Sequence, residues 1–344
     1  MNKLCYVNTM LDNKTILVTG ATGSFGQAFV KSILKKYPKI KKIIIFSRDE
    51  LKQFEMQQRL DPKIYKNLRY FLGDIRDKDR LMLAFRGVNI VVHAAALKQV
   101  PAGEYNPFEF IKTNIVGAQN ILESALFNGV EKIISISTDK ASSPINLYGA
   151  TKFCSDKLFI AGQNMFGKNN GLKITVVRYG NVFASRGSVI PFFLKQIKTE
   201  KYLTVTDKQM TRFNISLSDG IDTVLWAIKN STGGEIIVPK LYSLKIMDIA
   251  EIIAQKKVKI IGRRPGEKIH EELISINEAP NTIELEKYYA ILPEISYDSI
   301  LKYYEKKFKF KKFPRNYSYN SFDNKKYLTI IQIKHLIEEY KNSN

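Results

Sequence analysis

The residues best placed to do chemistry lie in one stretch, Ser137 to Lys152, which reads STDKASSPINLYGATK. Tyr148 and Lys152 stand four apart, so a helix presents both side chains on one face. A phenol beside an ammonium is an acid/base device, because the positive charge favours the phenolate and lowers the tyrosine pKa. Asp139 and Lys140 form a second titratable pair, just past the apolar run Lys132 to Ser137. Two such pairs flanking one pocket suit a reaction with more than one proton transfer. Taken locally, the same residues also read as a loop salt bridge and an exposed helix pair.

Groups of this kind need a strand end and a helix start to hold them, and the chain supplies that alternation. Short β-branched runs at Thr15–Thr19, Lys42–Phe46, Leu68–Leu72, Asn89–His93, Lys132–Ser137 and Ile174–Arg178 read as strands. Amphipathic stretches at Ser24–Lys36, Glu50–Leu60, Asp77–Phe85, Pro107–Asn128 and Tyr148–Phe166 read as the helices between them. The pattern predicts an α/β fold: a Rossmann-type doubly wound parallel sheet, with a cleft at the carboxyl ends of its strands. Beyond Asn181 the alternation weakens. Helices are expected at Pro191–Thr199, Ser218–Lys229, Lys245–Lys256 and Leu328–Tyr340, a strand at Gly233–Pro239, and few clear periods over Tyr288–Ser321. Residues 1–181 are therefore expected to form the dinucleotide domain. Residues 182–344 would mainly form a smaller α/β substrate lobe, interleaved with the first.

TGATGSFG, Thr19 to Gly26, follows the first strand and opens a helix. Gly20, Gly23 and Gly26, with Thr22, Ser24 and Phe25 between them, would let backbone amides and a helix N-terminus approach a pyrophosphate. On its own the spacing equally describes a tight strand-to-helix turn. The second strand ends in FSRDE, where an NAD site has a carboxylate for the ribose 2′-hydroxyl and an NADP site has cations and hydroxyls. Ser47 and Arg48, with Lys52 one turn on, fit a 2′-phosphate and favour NADP; Asp49 is the complicating neighbour. In GDIRD, Asp74 is a candidate acceptor for an adenine amino group with Ile75 against the ring, though Asp74 or Asp77 equally suits a helix cap. In HAAALK, Ala94 and Ala95 would lie against the nicotinamide ribose, and His93 reads as a strand-end packing residue.

The chain has 344 residues, 44% hydrophobic and 25% charged, enough for one large or two modest domains of ordinary soluble type. Its formal charge of +21 is spread as lysine along the whole length, without a helix-turn-helix, zinc-finger or base-stacking signature. That argues against a nucleic-acid partner and for a solvated surface whose field attracts anionic nucleotides. No apolar run is long enough to span a bilayer and the N-terminus lacks a signal-peptide core, so no membrane partner and a cytoplasmic location are expected. Cys5 and Cys154 make neither a disulfide framework nor a metal set, and no metal is expected.

The glycine pattern, GDIRD, HAAALK and the Tyr148–Lys152 spacing together resemble the extended short-chain dehydrogenase/reductases. Within them, SRDELKQ, HAAALKQVPAGEYNP, STDKA, NLYGATK, RYGNV, SRGSVIP, MTRF and RPGEK resemble the UDP-N-acetylglucosamine 4,6-dehydratases, above all those that invert C5 and begin pseudaminic acid biosynthesis. The likeness covers nearly the whole chain, weakest in the first ten residues and around Tyr297–Arg315. It implies NADP as cofactor, UDP-N-acetylglucosamine as substrate and a homo-oligomer, a hexamer among the family's assemblies. Tyr148, helped by Lys152, would take the 4-hydroxyl proton, and Thr138 would bind that hydroxyl or orient the tyrosine. Sugar-nucleotide dehydratases generally have Asp-Glu after the threonine; Asp139-Lys140 departs from this as the resembled subgroup does, making Asp139 the acid at C6 and Lys140 the base at C5. That base needs a pKa well below the free value, to which a nearby Lys152 would contribute. Lys98, Asn181, Val182, Arg212, Arg264 and Glu267 match positions that hold the nucleotide sugar, and Ser185 to Ser188 suit phosphate. Gln99 replaces a histidine of some relatives. A retaining 4,6-dehydratase, a nucleotide-sugar 4-epimerase and a non-catalytic NADP sensor are the rival readings.

Overall fold

The computed structural model describes residues 9–342 apart from 168–169, 184, 186 and 255–257, so Cys5 and Arg186 lie outside the described residues. Six parallel strands form the heart of the molecule: β1 (Thr15–Thr19), β2 (Lys42–Ser47), β3 (Leu68–Leu72), β4 (Ile90–His93), β5 (Lys132–Thr138) and β6 (Lys173–Tyr179). They lie in the order 3-2-1-4-5-6. Helices cover both faces of the sheet, so its inner strands are buried on both sides and read as near-continuous apolar runs; all five residues of β1 are buried. The order reverses between β1 and β4, and a reversal of this kind opens a crevice at the carboxyl ends of the strands. Register sets those ends flush: Thr19 pairs with both Phe46 and His93, and Thr138 with Tyr179.

The sheet continues beyond β6. Ile236–Pro239 adds a parallel strand, and Tyr288–Ile291, Thr282–Glu284 and Lys311–Lys312 follow antiparallel, giving ten strands in all. The predicted lack of pattern over Tyr288–Ser321 is thus corrected: the stretch holds strand Tyr288–Ile291 and helix Tyr297–Lys307. Strands of two to four residues are too short to display a period, and the helix buries only Ile300 and Tyr304. A separate three-stranded sheet joins Asn181–Val182, Thr211–Ile215 and Tyr242–Lys245, and a second apolar cluster gathers around Phe193, Leu203, Ile249 and Ile333. The chain passes between the two sheets repeatedly, since Ile236–Pro239 returns to the main sheet before Tyr242–Lys245 joins the small one.

Two helices matter most for the site. α1 (Ser24–Lys36) starts directly after the glycine turn. The helix Leu147–Gly162 begins at Asn146, whose side chain accepts from the Gly149 N–H. The stretch Pro107–Phe127 is α-helical at both ends, with a π-helical segment at Ile111–Val116. Such segments re-aim side chains, often near functional sites.

Candidate active site

A cleft of about 760 Å³ runs along the carboxyl ends of the strands. One end is built by the glycine turn. Gly20 has φ +65°, and a Cβ there would stand 2.8 Å from the Ala95 nitrogen; only glycine satisfies both demands. A Cβ on Gly26 would lie 2.5 Å from Ala21 Cα, so this glycine sets how closely α1 approaches β1. At Gly23 a Cβ would meet only the Gly20 carbonyl, at 3.2 Å, and otherwise fill the cleft. Gly23 is also the N-cap of α1 and provides no side-chain cap, which leaves first-turn N–H groups of this helix for a ligand. Thr22, Ser24 and Phe25 line the same end. The cradle fits the pyrophosphate of a dinucleotide.

Thr22 Oγ1 lies 2.9 Å from Ser47 Oγ, joining the glycine turn to the end of β2. Arg48 is half exposed at the rim, 3.7 Å from Asp74. The Asp49 carboxylate is engaged by its own helix: it accepts from the Lys52 N–H and pairs with the Lys52 ammonium, which holds its carboxyl below the usual range. Asp74 accepts from the Arg76 backbone and guanidinium at 2.8–3.0 Å; burial would raise its carboxyl, but those bonds hold it low. Asp77 caps the following helix. Ile75 is buried and lines the cleft, packed against Gly117. Ala94 and Ala95 donate N–H bonds to Thr19 Oγ1 at 3.2 and 3.3 Å. His93 is buried, 2.8 Å from the same oxygen, and burial with the Lys152 charge pushes its imidazole down to about 3.

The other end holds the acid/base groups. Thr138, Asp139, Lys140, Tyr148, Lys152, Lys98, Asn181 and Val182 all line the cleft. Asp139 is fully buried. Its Oδ1 accepts from Thr138 Oγ1 at 2.9 Å and Lys140 Nζ at 2.8 Å, while its Oδ2 has no hydrogen-bond partner. Burial raises its carboxyl despite the Lys140 charge. A buried carboxyl with one oxygen engaged and the other open is well formed to carry a proton. Lys140 also reaches Asn181 Oδ1 and Glu271 Oε1, both at 3.3 Å. Lys98 and Lys152 are lowered by burial, Lys98 also by the Lys140 charge, and Lys152 is supported by Asp156.

Two electrostatic expectations are overturned. Burial pushes Tyr148 up to about 12 rather than down, and the cation that offsets this is Lys140, with Thr138 hydrogen-bonding the phenol. Lys140 itself is not depressed. Desolvation works against its charge, but the Asp139 and Glu271 carboxylates prevail and raise it, while the opposing cation is Arg212 rather than Lys152. The carboxylates around Lys140 therefore favour its ammonium form.

The positions matched to the nucleotide sugar do not all converge. Arg212 lies behind Lys140, not in the cleft wall. It is mostly buried, donating to the Thr211 and Ile269 carbonyls, with Nε 3.5 Å from Glu271 Oε1. Arg264 is exposed and Glu267 bonds its backbone, both outside the cleft lining. Their turn nevertheless docks on the loop between Lys140 and Tyr148. Gly266 O accepts from Asn146, Lys268 Nζ donates to Ser142 O, and Glu272 accepts from Ser142 and Ser143. Ser185 and Ser188 line the cleft.

Two residues escaped the sequence. Asn114, on the π-helical segment, bonds both backbone groups of Leu97 and the Thr151 hydroxyl, tying the loop after β4 to the helix Leu147–Gly162. Glu271 is buried against Lys140 and Arg212. Glu271 adjoins the matched RPGEK string, yet nothing local distinguishes it from Glu272. Among the described residues no cluster able to hold a metal occurs, and no helix is long and apolar enough to cross a membrane.

Residues 16–293 match the family described as polysaccharide biosynthesis protein. Over 83% of its length the chain is 54% identical to the UDP-N-acetylglucosamine 4,6-dehydratase (inverting) of Campylobacter jejuni subsp. jejuni serotype O:23/36 (strain 81-176), covering 85% of it. It is 44% identical, over 82% of its length and 84% of the relative's, to the UDP-glucose 4-epimerase of Rickettsia akari (strain Hartford). The X-ray structure of Pen from Bacillus thuringiensis superposes with a TM-score of 0.85 at 33% identity, over 96% of this chain and 99% of that one.

Proposed function

From the premise that this chain belongs to the polysaccharide biosynthesis protein family, we propose that it is an NADP-dependent UDP-N-acetylglucosamine 4,6-dehydratase that inverts C5, with pseudaminic acid biosynthesis as its pathway. The observation that carries this reading is the buried Asp139, its Oδ2 open, bonded to Lys140 beside Tyr148. A bound nicotinamide dinucleotide supplies the two-electron acceptor at C4 and the donor that completes C6. Tyr148 takes the 4-hydroxyl proton as C4 is oxidised, and the ketone then acidifies the proton on C5. Lys140, from its neutral form, removes that proton, and Asp139 protonates the departing 6-hydroxyl so that water leaves. Reprotonation of C5 from the opposite face inverts the centre.

A 4-epimerase needs only the tyrosine–lysine device, and the Rickettsia relative makes it the second reading. The acid at Asp139 and its lysine neighbour have no task in that reaction. For the cofactor, Ser47 and Arg48 line the cleft beside the glycine turn, and the Asp49 carboxylate is engaged by Lys52, which supports the 2′-phosphate form. Incubation with UDP-N-acetylglucosamine in heavy water, read by NMR, is the test. A 4-keto-6-deoxy product with deuterium at C5 and the L-arabino configuration is expected. A product epimerised only at C4 would replace this reading with the second, and a C5-retained product would remove the inversion.

A further inference from the structure

Lys140 has more negative charge around it than its pairing with Asp139 requires. The second carboxylate is Glu271, 2% exposed, with Oε1 3.3 Å from Lys140 Nζ and 3.5 Å from Arg212 Nε. Its position is rigid. The Glu271 N–H donates to Ser321 Oγ at 2.9 Å and its carbonyl accepts from the Ser321 N–H at 2.8 Å. Its Oε2 has no hydrogen-bond partner. Burying a carboxylate with half its acceptors idle is costly, and Lys140 already has a counter-ion in Asp139.

We propose that Glu271 is a positioning residue for the Asp139–Lys140 pair: it neutralises Lys140 from the far side, so that Asp139 keeps an oxygen free to carry a proton. The inference rests on the dehydratase reading for its consequence, but not for its electrostatics. The charged and titratable groups facing Lys140 are Asp139, Glu271, Arg212, Lys98, Lys268 and Tyr148. Without Glu271, Asp139 loses the neighbouring negative charge that raises its carboxyl, and it ionises more readily. Lys140, with one carboxylate fewer, gives up its proton more readily too. Both groups therefore titrate at lower pH, whichever of them sets which limb of a pH–rate profile.

The test compares the wild type with Glu271→Gln and Glu271→Asp. In protein labelled with ¹³Cε-lysine, with Lys140 assigned through Lys140→Arg, the Gln variant is expected to lower the Lys140 titration midpoint by about one pH unit. The Asp variant should lower it less. With UDP-N-acetylglucosamine, both limbs of the kcat profile should move the same way, while KM changes less than kcat. A folded Gln variant with an unmoved Lys140 titration overturns the proposal, even if its activity falls. If Gln prevents folding, the Asp variant decides, and an unmoved midpoint there also overturns it. Absence of dehydration by the wild type would sink the functional reading, while the lysine titration would still decide the role of Glu271.

Discussion

Replacing Asp139 by asparagine removes the proposed acid while keeping the side chain's shape, so C4 oxidation should survive and loss of water should not. The expected result is a fall in kcat of roughly 10²–10⁴-fold, the range for a lost general acid. Reduced nicotinamide should meanwhile persist, seen as near-ultraviolet absorbance. Tyr148→Phe acts one step earlier and should abolish that absorbance. Equal reduced-cofactor signals in both variants would count against the division of roles. At this scale the sequence was informative about residue type and misleading about charge. Tyr148 and Lys152 do share a helix and a cleft, yet the phenol is governed by burial and by Lys140, a neighbour on another element. Glu271 was illegible because its partners Lys140 and Arg212 are distant in sequence and reach it only in the folded chain.

The glycine turn allows a sharper test of what an element is for. Gly26→Ala puts a methyl group 2.5 Å from the Ala21 backbone, which cannot yield as a flexible side chain would. Overpacking of this sort costs about 1–3 kcal/mol, so the melting temperature should drop. Gly23→Ala meets one carbonyl at 3.2 Å and otherwise enters the cleft, so its stability should stay close to the wild type. Its dinucleotide affinity, measured by calorimetric titration, should weaken at least about tenfold, or ~1.4 kcal/mol. Unchanged affinity in a stable Gly23→Ala protein would remove the pyrophosphate from this turn. The turn was legible because strand, glycines and helix are contiguous. For the same reason β1 and β3 fall where the apolar runs predict. The antiparallel extension of the sheet was not legible: Lys311–Lys312 pairs with Thr282–Glu284, and the choice depends on a partner far along the chain rather than on any local period.

The whole molecule carries +21 of formal charge and keeps some ionisable groups deep inside. His93 sits between β1 and the helix Leu147–Gly162, 2.8 Å from Thr19 Oγ1 and against the Phe159 ring. Thr19 Oγ1 also receives the Ala94 and Ala95 N–H groups, so its own proton points to His93 Nδ1 and the imidazole is neutral. The folded pKa, about 3, lies below the ordinary 6.5. A depressed folded pKa gives stability that is complete above 6.5 and is lost as pH falls toward 3. The loss approaches about 1.4 kcal/mol per pH unit, or about 2 kcal/mol by pH 5. Asp139 and Asp156 are raised by burial, and their contributions run the opposite way. The wild-type slope alone therefore does not isolate His93. The difference between wild type and His93→Gln does, because the carboxylates are common to both. Urea midpoints measured from pH 7.5 to 5 should fall more steeply for the wild type than for the variant, whatever the variant's absolute stability. Parallel slopes would mean that His93 takes up its proton inside the folded protein, and the helix Leu147–Gly162 would then have to accept a charge at its buried face.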